Sequence, residues 1–389
     1  MLNRRSIRIK AMQTLFALEQ CRKANLNIAR EQIRETFMPD LNSMEPQDPA
    51  KLKAEAEEAL RLFNSSYAVG KLDSAPDTPA DSLSASRAAL DFYYKKNDND
   101  YVFFRKHMID QAEMIFDLCV EILLFNVEFG KLAEADFEKR SNNTLVQAQP
   151  VGKGALNLSR NRVLNELAER LRKRTGGLDN DQRDNAEIWF KTILRRDPVY
   201  KDYLQNEAPT FEDDKQILLH IIKQILFKNE QVLAYMESKD INWAENRAIV
   251  RSMASKSVKL VTEDNLGDAE LAELSMNWEE DRAFFELIFD LVVKNEREIE
   301  NLVSEKAQNW SKERITDLDL VILKMAIAEL MNFPSIPVKV TINEYVELAK
   351  NYSTPKSKKF VNGILDVAAE TLQSKGKIKK SGRGLLDNK

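Results

Sequence analysis

Residues able to do chemistry gather at the two ends of the sequence. Near the C-terminus, STPKSKKFVNG (353–363) sets Lys356, Lys358 and Lys359 at the start of a helix, followed by Phe360. Thr354 is a good N-cap and Pro355 suits the first helical position. A helix N-terminus carries partial positive charge and normally attracts acids, so the three lysines oppose its field. Free N–H groups and lysines together attract a phosphate. The plain alternative is three solvated lysines tolerated at about a kcal/mol in total. Near the N-terminus, Arg4, Arg5 and Arg8 precede Gln13 and Phe16. Arg5, Ile9, Met12, Gln13 and Phe16 lie on one side of a helix, where an arginine, an amide and an aromatic ring can stack on a base and bond its edge. The plainer reading packs Met12 and Phe16 against a second helix.

Helices must position these groups. Ile7, Ala11, Thr14, Leu15 and Leu18 form an apolar stripe that predicts a first helix over 4–22. In the last third, ERITDLDLVILKMAIAELMNF (313–333) reads as a helix with Thr316 and Asp317 near its start and Pro334 after its end. Ile342, Tyr345, Val346, Ala349 and Tyr352 predict another over 341–352. The periodicity of Phe360, Val361, Ile364, Leu365, Ala368 and Leu372 carries the final helix to about 373. Three antiparallel helices with short connections make a bundle.

Between these ends, 38–49, 69–86 and 141–159 are rich in Pro, Gly, Ser, Asn or Asp and read as loops. The segment 101–138 is apolar on most sides and predicts a buried helix. Residues 213–247 echo 280–314: each has a long amphipathic helix, the triplet Lys-Asn-Glu, then Trp-x-x-x-Arg. Duplication and convergence both account for that.

Composition narrows the function. Only His107 and His220 are histidines, and neither has a ligand pattern. No GxGxxG or GxxxxGK[ST] occurs, and the acids alternate with Lys and Arg as on solvated faces. An enzyme is not expected. Two cysteines, Cys21 and Cys119, cannot form a disulfide framework, and free thiols fit a cytoplasmic protein. No apolar run is long enough for a membrane span. The net charge of −4 hides basic ends, 1–10 and 375–389, of the kind that bind polyanions.

The stretches DLDLVILKMAIAEL, IPVKVTINEYVELAKNYS and KKFVNGILDVAAETL occur in an order and spacing that resemble the NusB transcription antitermination factors, a family of small all-α RNA-binding proteins. NRRSIRIKAMQTLFALEQ resembles the first helix of that family. The resemblance covers roughly 1–22 and 275–375. It implies an all-α, NusB-like helical bundle enlarged by an additional helical region. Residues 1–274 would be the first NusB-like helix followed by a long helical insertion, 275–375 the C-terminal domain, and 376–389 a basic flexible tail.

The resemblance also implies a factor that binds the boxA element of single-stranded nascent RNA. Its partners would be the ribosomal protein NusE and the RNA polymerase elongation complex, in support of processive transcription of ribosomal RNA operons. No catalysis and no cofactor are implied. Arg4, Arg5 and Arg8 would meet phosphates, and Gln13 and Phe16 would meet bases. Lys324 stands where an arginine is usual. Lys359 and Phe360 match the start of the last helix, with the lysines holding the backbone while the Phe360 ring meets a base. Lys356 and Lys358 replace an acid and a histidine, and Ala328 replaces a tyrosine. Two other classes remain in view. One is a protein–protein scaffold that has lost RNA binding. The other is an RNA-modifying enzyme with a NusB-like domain, which the absence of a glycine-rich cofactor loop disfavours.

Overall fold

The computed structural model describes residues 1–40, 42, 46–72, 77–142, 153–307 and 315–388. Among these residues every regular element is helical. The first helices are α1 (Arg4–Thr36), α2 (Pro49–Ser66), α3 (Ala80–Asn142), α4 (Arg162–Arg172) and α5 (Asn180–Thr192). Then come α6 (Pro198–Gln205), α7 (Phe211–His220), α8 (Glu230–Lys239), α9 (Trp243–Leu260) and α10 (Trp278–Lys294). The chain ends in α11 (Glu296–Lys306), α12 (Asp317–Asn332), α13 (Val338–Tyr352) and α14 (Ser357–Ser374). Side chains close many of the helix starts. Asp48, Asp179, Asp197, Thr210 and Thr316 each accept a backbone N–H at an N-cap, and Thr316 forms a full capping box with Asp319.

Packing sorts the chain into two compact units: Arg4–Ile109 with Glu280–Lys389, and Met1–Asn3 with Asp110–Glu279. This differs from a linear split into 1–274 and 275–375. The apolar stripe of α1 is the reason. Ile7, Ala11, Leu15 and Leu18 are all buried, and α1 runs along α12 in the first unit.

At the centre of that unit is α12, in which every residue from Val321 to Leu330 is buried, as for a helix enclosed on all sides. α13 and α14 pack on it and on each other, which is the expected three-helix bundle, and α1 and α11 add further walls. The second half of α1 joins α2 and the start of α3 around Ile33, Phe37, Phe63 and Leu90. α1 continues to Thr36 rather than 22, because no Gly or Pro interrupts it before Pro39. α3 likewise begins at Ala80, inside the segment expected to be a linker over 69–86.

The tail departs from a flexible one. Ser381 N–H donates to the Pro334 carbonyl at 3.0 Å, and Lys380 Nζ reaches the Phe333 carbonyl at 3.0 Å. Gly384 is buried there, and a Cβ at that position would lie 2.0 Å from the Pro334 oxygen, so only glycine fits. Lys377 adds an ion pair with Glu298.

The other unit is built on α3 from Asp110 onward, whose buried face includes Ile115, Ile122, Phe125 and Phe129. Trp189 meets Phe125 edge-on at 4.9 Å, and Tyr235 meets Trp189 at 5.4 Å. The segment echoed at 280–314 shows why the triplet recurs. Asn229 caps α8 and Asn295 occupies the same position at α11, so in both copies Lys-Asn-Glu marks a helix restart. Trp243 closes the first copy as a buried residue. Trp310 and Arg314 of the second lie outside the described residues.

Candidate nucleic-acid interface

The arginines of the first two turns of α1 meet three sets of acids. Arg4 Nη2 lies 2.6 Å from Glu280 and its Nε 2.8 Å from Asp281, with the guanidinium 4.4 Å from the Phe284 ring centre. Arg5 is exposed and binds Glu344 through both carboxylate oxygens, at 2.7 and 2.8 Å. The Arg5 hydrogen bonds hold the Glu344 carboxyl below its ordinary pKa.

Arg8 is different in kind, being 3% exposed. It makes a two-pronged pair with Glu329 at 2.8 Å for each bond. Glu329 also accepts from Thr341 Oγ1 at 2.8 Å and Tyr345 Oη at 3.0 Å. Burial alone would lower the Arg8 pKa, but the Glu329 bonds and charge outweigh it, so the guanidinium stays charged. It is a lock joining α1, α12 and α13, not a phosphate contact.

Lys324 is a second interior charge, 2% exposed. Its Nζ lies 2.6 Å from Glu296 and 2.5 Å from Glu300, with Glu19 at 3.8 Å. Burial would lower its pKa, and the surrounding carboxylates reverse that. Phe360 is 3% exposed and belongs to the core, so its ring cannot meet a base. Ala328 is fully buried, and the change from a usual tyrosine is therefore a matter of core volume.

The outward-facing groups are Lys356, Lys358 and Lys359, all exposed. No described residue forms an ion pair or hydrogen bond with any of the three side chains. α14 begins at Ser357, not at Pro355, with Lys356 as its N-cap and no side chain capping it. Thr354 instead turns the chain, its carbonyl accepting the Ser357 N–H at 2.9 Å. Ser357 is buried, and its hydroxyl donates to Asp319 Oδ2 at 2.9 Å while meeting Thr354 Oγ1 at 2.8 Å and Ser353 Oγ at 3.0 Å. The first turn of α14 is thereby pinned to the first turn of α12, which places Lys358 and Lys359 beside uncapped N–H groups. We expect Ser357→Val to leave Asp319 without this partner and to cost about 1–3 kcal/mol. Faster hydrogen exchange confined to the start of α14 would register it.

Gln13 and Phe16 sit half-buried on α1. At about 100° per residue they share a side with Arg5, Gln20 and Lys23. Lys23 and Gln20 reach Asp317 at the start of α12, at 2.5 and 3.3 Å. Arg5 lies at the opposite end of α12, near Glu329. The rise from Thr316 to Glu329 is about 20 Å, so the arginine and lysine groups are not one patch. On α1 itself, Gln13 and Phe16 fall between Arg5 and Lys23 on that side.

Comparison with known proteins supplies the family. The NusB family profile matches residues 247–370. A Transcription antitermination protein NusB from Geobacter sp. is 37% identical over 130 residues, covering 33% of this chain and 88% of that protein. The chain belongs to the NusB family. The NusB of Salinibacter ruber is 40% identical over 105 residues, 27% of this chain and 66% of that protein. That of Chloroherpeton thalassium is 45% identical over 100 residues, 26% of this chain and 47% of that protein. The chain thus spans about half the length of this last relative and about two thirds of the one before it. No solved structure matches it.

The NusB match begins inside α9 and leaves α1 outside, yet α1 completes the matched bundle by packing on α12. Several decisive side chains stand in no recognisable sequence pattern: Glu344, Asp319 and Ser357. Glu329 does carry a signal. Lys324 and Glu329 are the only charges in VILKMAIAEL (321–330), and lone charges on so apolar a helix require buried partners. Among the described residues no helix is long and apolar enough to cross a membrane, and no acid, His or Cys cluster is placed to hold a metal.

Proposed function

We propose that this protein is a transcription antitermination factor that binds single-stranded, boxA-like RNA across α1 and the start of α14. In this reading Lys356, Lys358 and Lys359 hold phosphates at the start of α14, Arg5 adds a cation at the start of α1, and Phe16 and Gln13 of α1 meet bases. Arg8, Lys324 and Phe360 act from behind the surface by fixing the helices. Arg4 serves mainly to seat α1 against α10. NusE and the RNA polymerase elongation complex are the proposed protein partners, with ribosomal RNA operons as the setting, and no catalytic step is assigned.

One observation carries the reading: three lysines with no ion pair among the described residues crowd a helix N-terminus whose first turn is held by Ser357 and Asp319. Such an arrangement costs stability when empty and is relieved by an anion. Phe16→Ala tests the base contact. Stacking of one base on an aromatic ring is worth about 1–3 kcal/mol, or roughly 5- to 150-fold in affinity. A fluorescence titration with a boxA-like oligoribonucleotide should show that loss with little change in salt dependence. Unchanged affinity would remove Phe16 from the interface.

A further inference from the structure

A second site lies in the other unit, between the end of α3, the 153–156 turn, the end of α5 and α6. It is a cavity of about 330 Å³. Arg140, Arg195 and Lys201 line it, and among the described lining residues the only carboxylate is Asp136. Arg140 Nε lies 3.0 Å from Asp136 and Arg195 Nη1 3.3 Å from it. Two guanidinium groups thus share one acid. Lys201 is exposed and has no ion pair or hydrogen bond among the described residues. The rest of the lining is largely apolar and aromatic: Phe137 is half-buried, and Phe190 and Tyr200 are buried with their rings edge-on at 6.5 Å.

The walls are held in place without a ligand. Asp197 caps α6 by accepting the Tyr200 N–H at 2.8 Å, and His220 Nε2 lies 3.0 Å from the same carboxylate. Asn157 donates to the Tyr203 and Asn206 carbonyls at 2.8 and 2.7 Å. Gly154 packs so tightly that a Cβ would lie 2.1 Å from the Leu204 oxygen. This fixes the 153–156 turn, and with it the Ala155 wall, against α6.

We propose that this cavity binds a nucleotide, either free or as one residue of a single-stranded RNA. The volume lies within the range of small-molecule sites. Guanidinium groups with unspent donors suit a phosphate, which they grip in two-pronged fashion. An accessible phenyl ring beside them suits a base, which stacks on aromatic and guanidinium planes. A bare phosphate would leave the aromatic half unfilled, and an acidic peptide would bring no ring to Phe137. All its lining residues belong to the unit that does not contain α1 and α14, so the proposal does not rest on the reading of that interface.

Calorimetric titration of the full chain with UMP, AMP, ribose 5-phosphate, inorganic phosphate, hexauridylate and a hexaglutamate peptide tests this. We expect saturable binding of at least one mononucleotide, weakened about tenfold or more by Arg195→Glu and by Phe137→Ala. Lys201→Glu, at an exposed position, should weaken it in the same direction, while Lys259→Glu, exposed on α9 and outside the cavity lining, should leave it unchanged. Tighter binding of hexauridylate that Arg195→Glu also weakens would assign an RNA strand, and tighter binding of the mononucleotide a free nucleotide. The proposal is overturned if no mononucleotide saturates the site, if inorganic phosphate or the peptide binds equally well, or if all three local substitutions leave binding unchanged in a protein that still folds.

Discussion

Glu329→Ala should destabilise the bundle of α1, α12, α13 and α14 by about 3–5 kcal/mol, the cost of leaving a buried charge without its partner. The carboxylate is fully buried and accepts four hydrogen bonds, two from Arg8 and one each from Thr341 and Tyr345. Its loss strands the guanidinium in a place with 4% side-chain exposure and orphans two hydroxyls. Arg8→Met combined with Glu329→Leu should recover part of the loss, since an apolar pair of similar volume removes both charges together. Recovery should be incomplete, because Thr341 and Tyr345 still lack an acceptor at about 1–3 kcal/mol each. The chain has two compact units, so a global melting curve would mix them. Hydrogen exchange of the α12 amides reads the relevant unit directly. Exchange as slow in Glu329→Ala as in the parent would refute the lock.

Where the sequence spoke clearly, one energetic term dominated. The run Val321–Leu330 is so apolar that burial on every side is the only outcome, and it forms the centre of a bundle. Likewise Phe360, Val361, Ile364 and Leu365 recur at helical spacing and are all buried. That same regularity puts Phe360 on the core stripe, where its ring is not available at the surface.

The start of α14 was hidden for another reason. Thr354 and Pro355 have the right types for a cap, but Ser357 gains more by bonding Asp319, which is 38 residues away in the sequence. A local propensity of about 1 kcal/mol yields to a buried hydroxyl–carboxylate bond that no local pattern reveals. The extent of α1 was legible in the absence of Gly and Pro up to Pro39, whereas its return to α12 required knowing that Arg8 and Glu329 pair across 321 residues.

The lysines at α14 carry the largest predicted effect on function. Lys356→Glu, Lys358→Glu and Lys359→Glu together should weaken binding of a boxA-like oligoribonucleotide by roughly a hundredfold or more at low salt. Each lost phosphate contact lowers the salt slope of log K by about 0.7 for a single strand. Three contacts therefore predict a slope smaller in magnitude by about 2. The fold should survive. All three side chains are exposed, none has a described partner, and acids in a first helical turn are favoured by about 0.3–1 kcal/mol each. The variant should thus be slightly more stable than the parent while binding RNA far less well, a combination that general damage cannot produce. Ser357→Val separates positioning from charge. It keeps every lysine, so its salt slope should match the parent while its affinity falls as the first turn loosens. If the triple variant keeps its affinity and slope, the α14 lysines are solvated surface, and RNA binding must be sought elsewhere on the molecule.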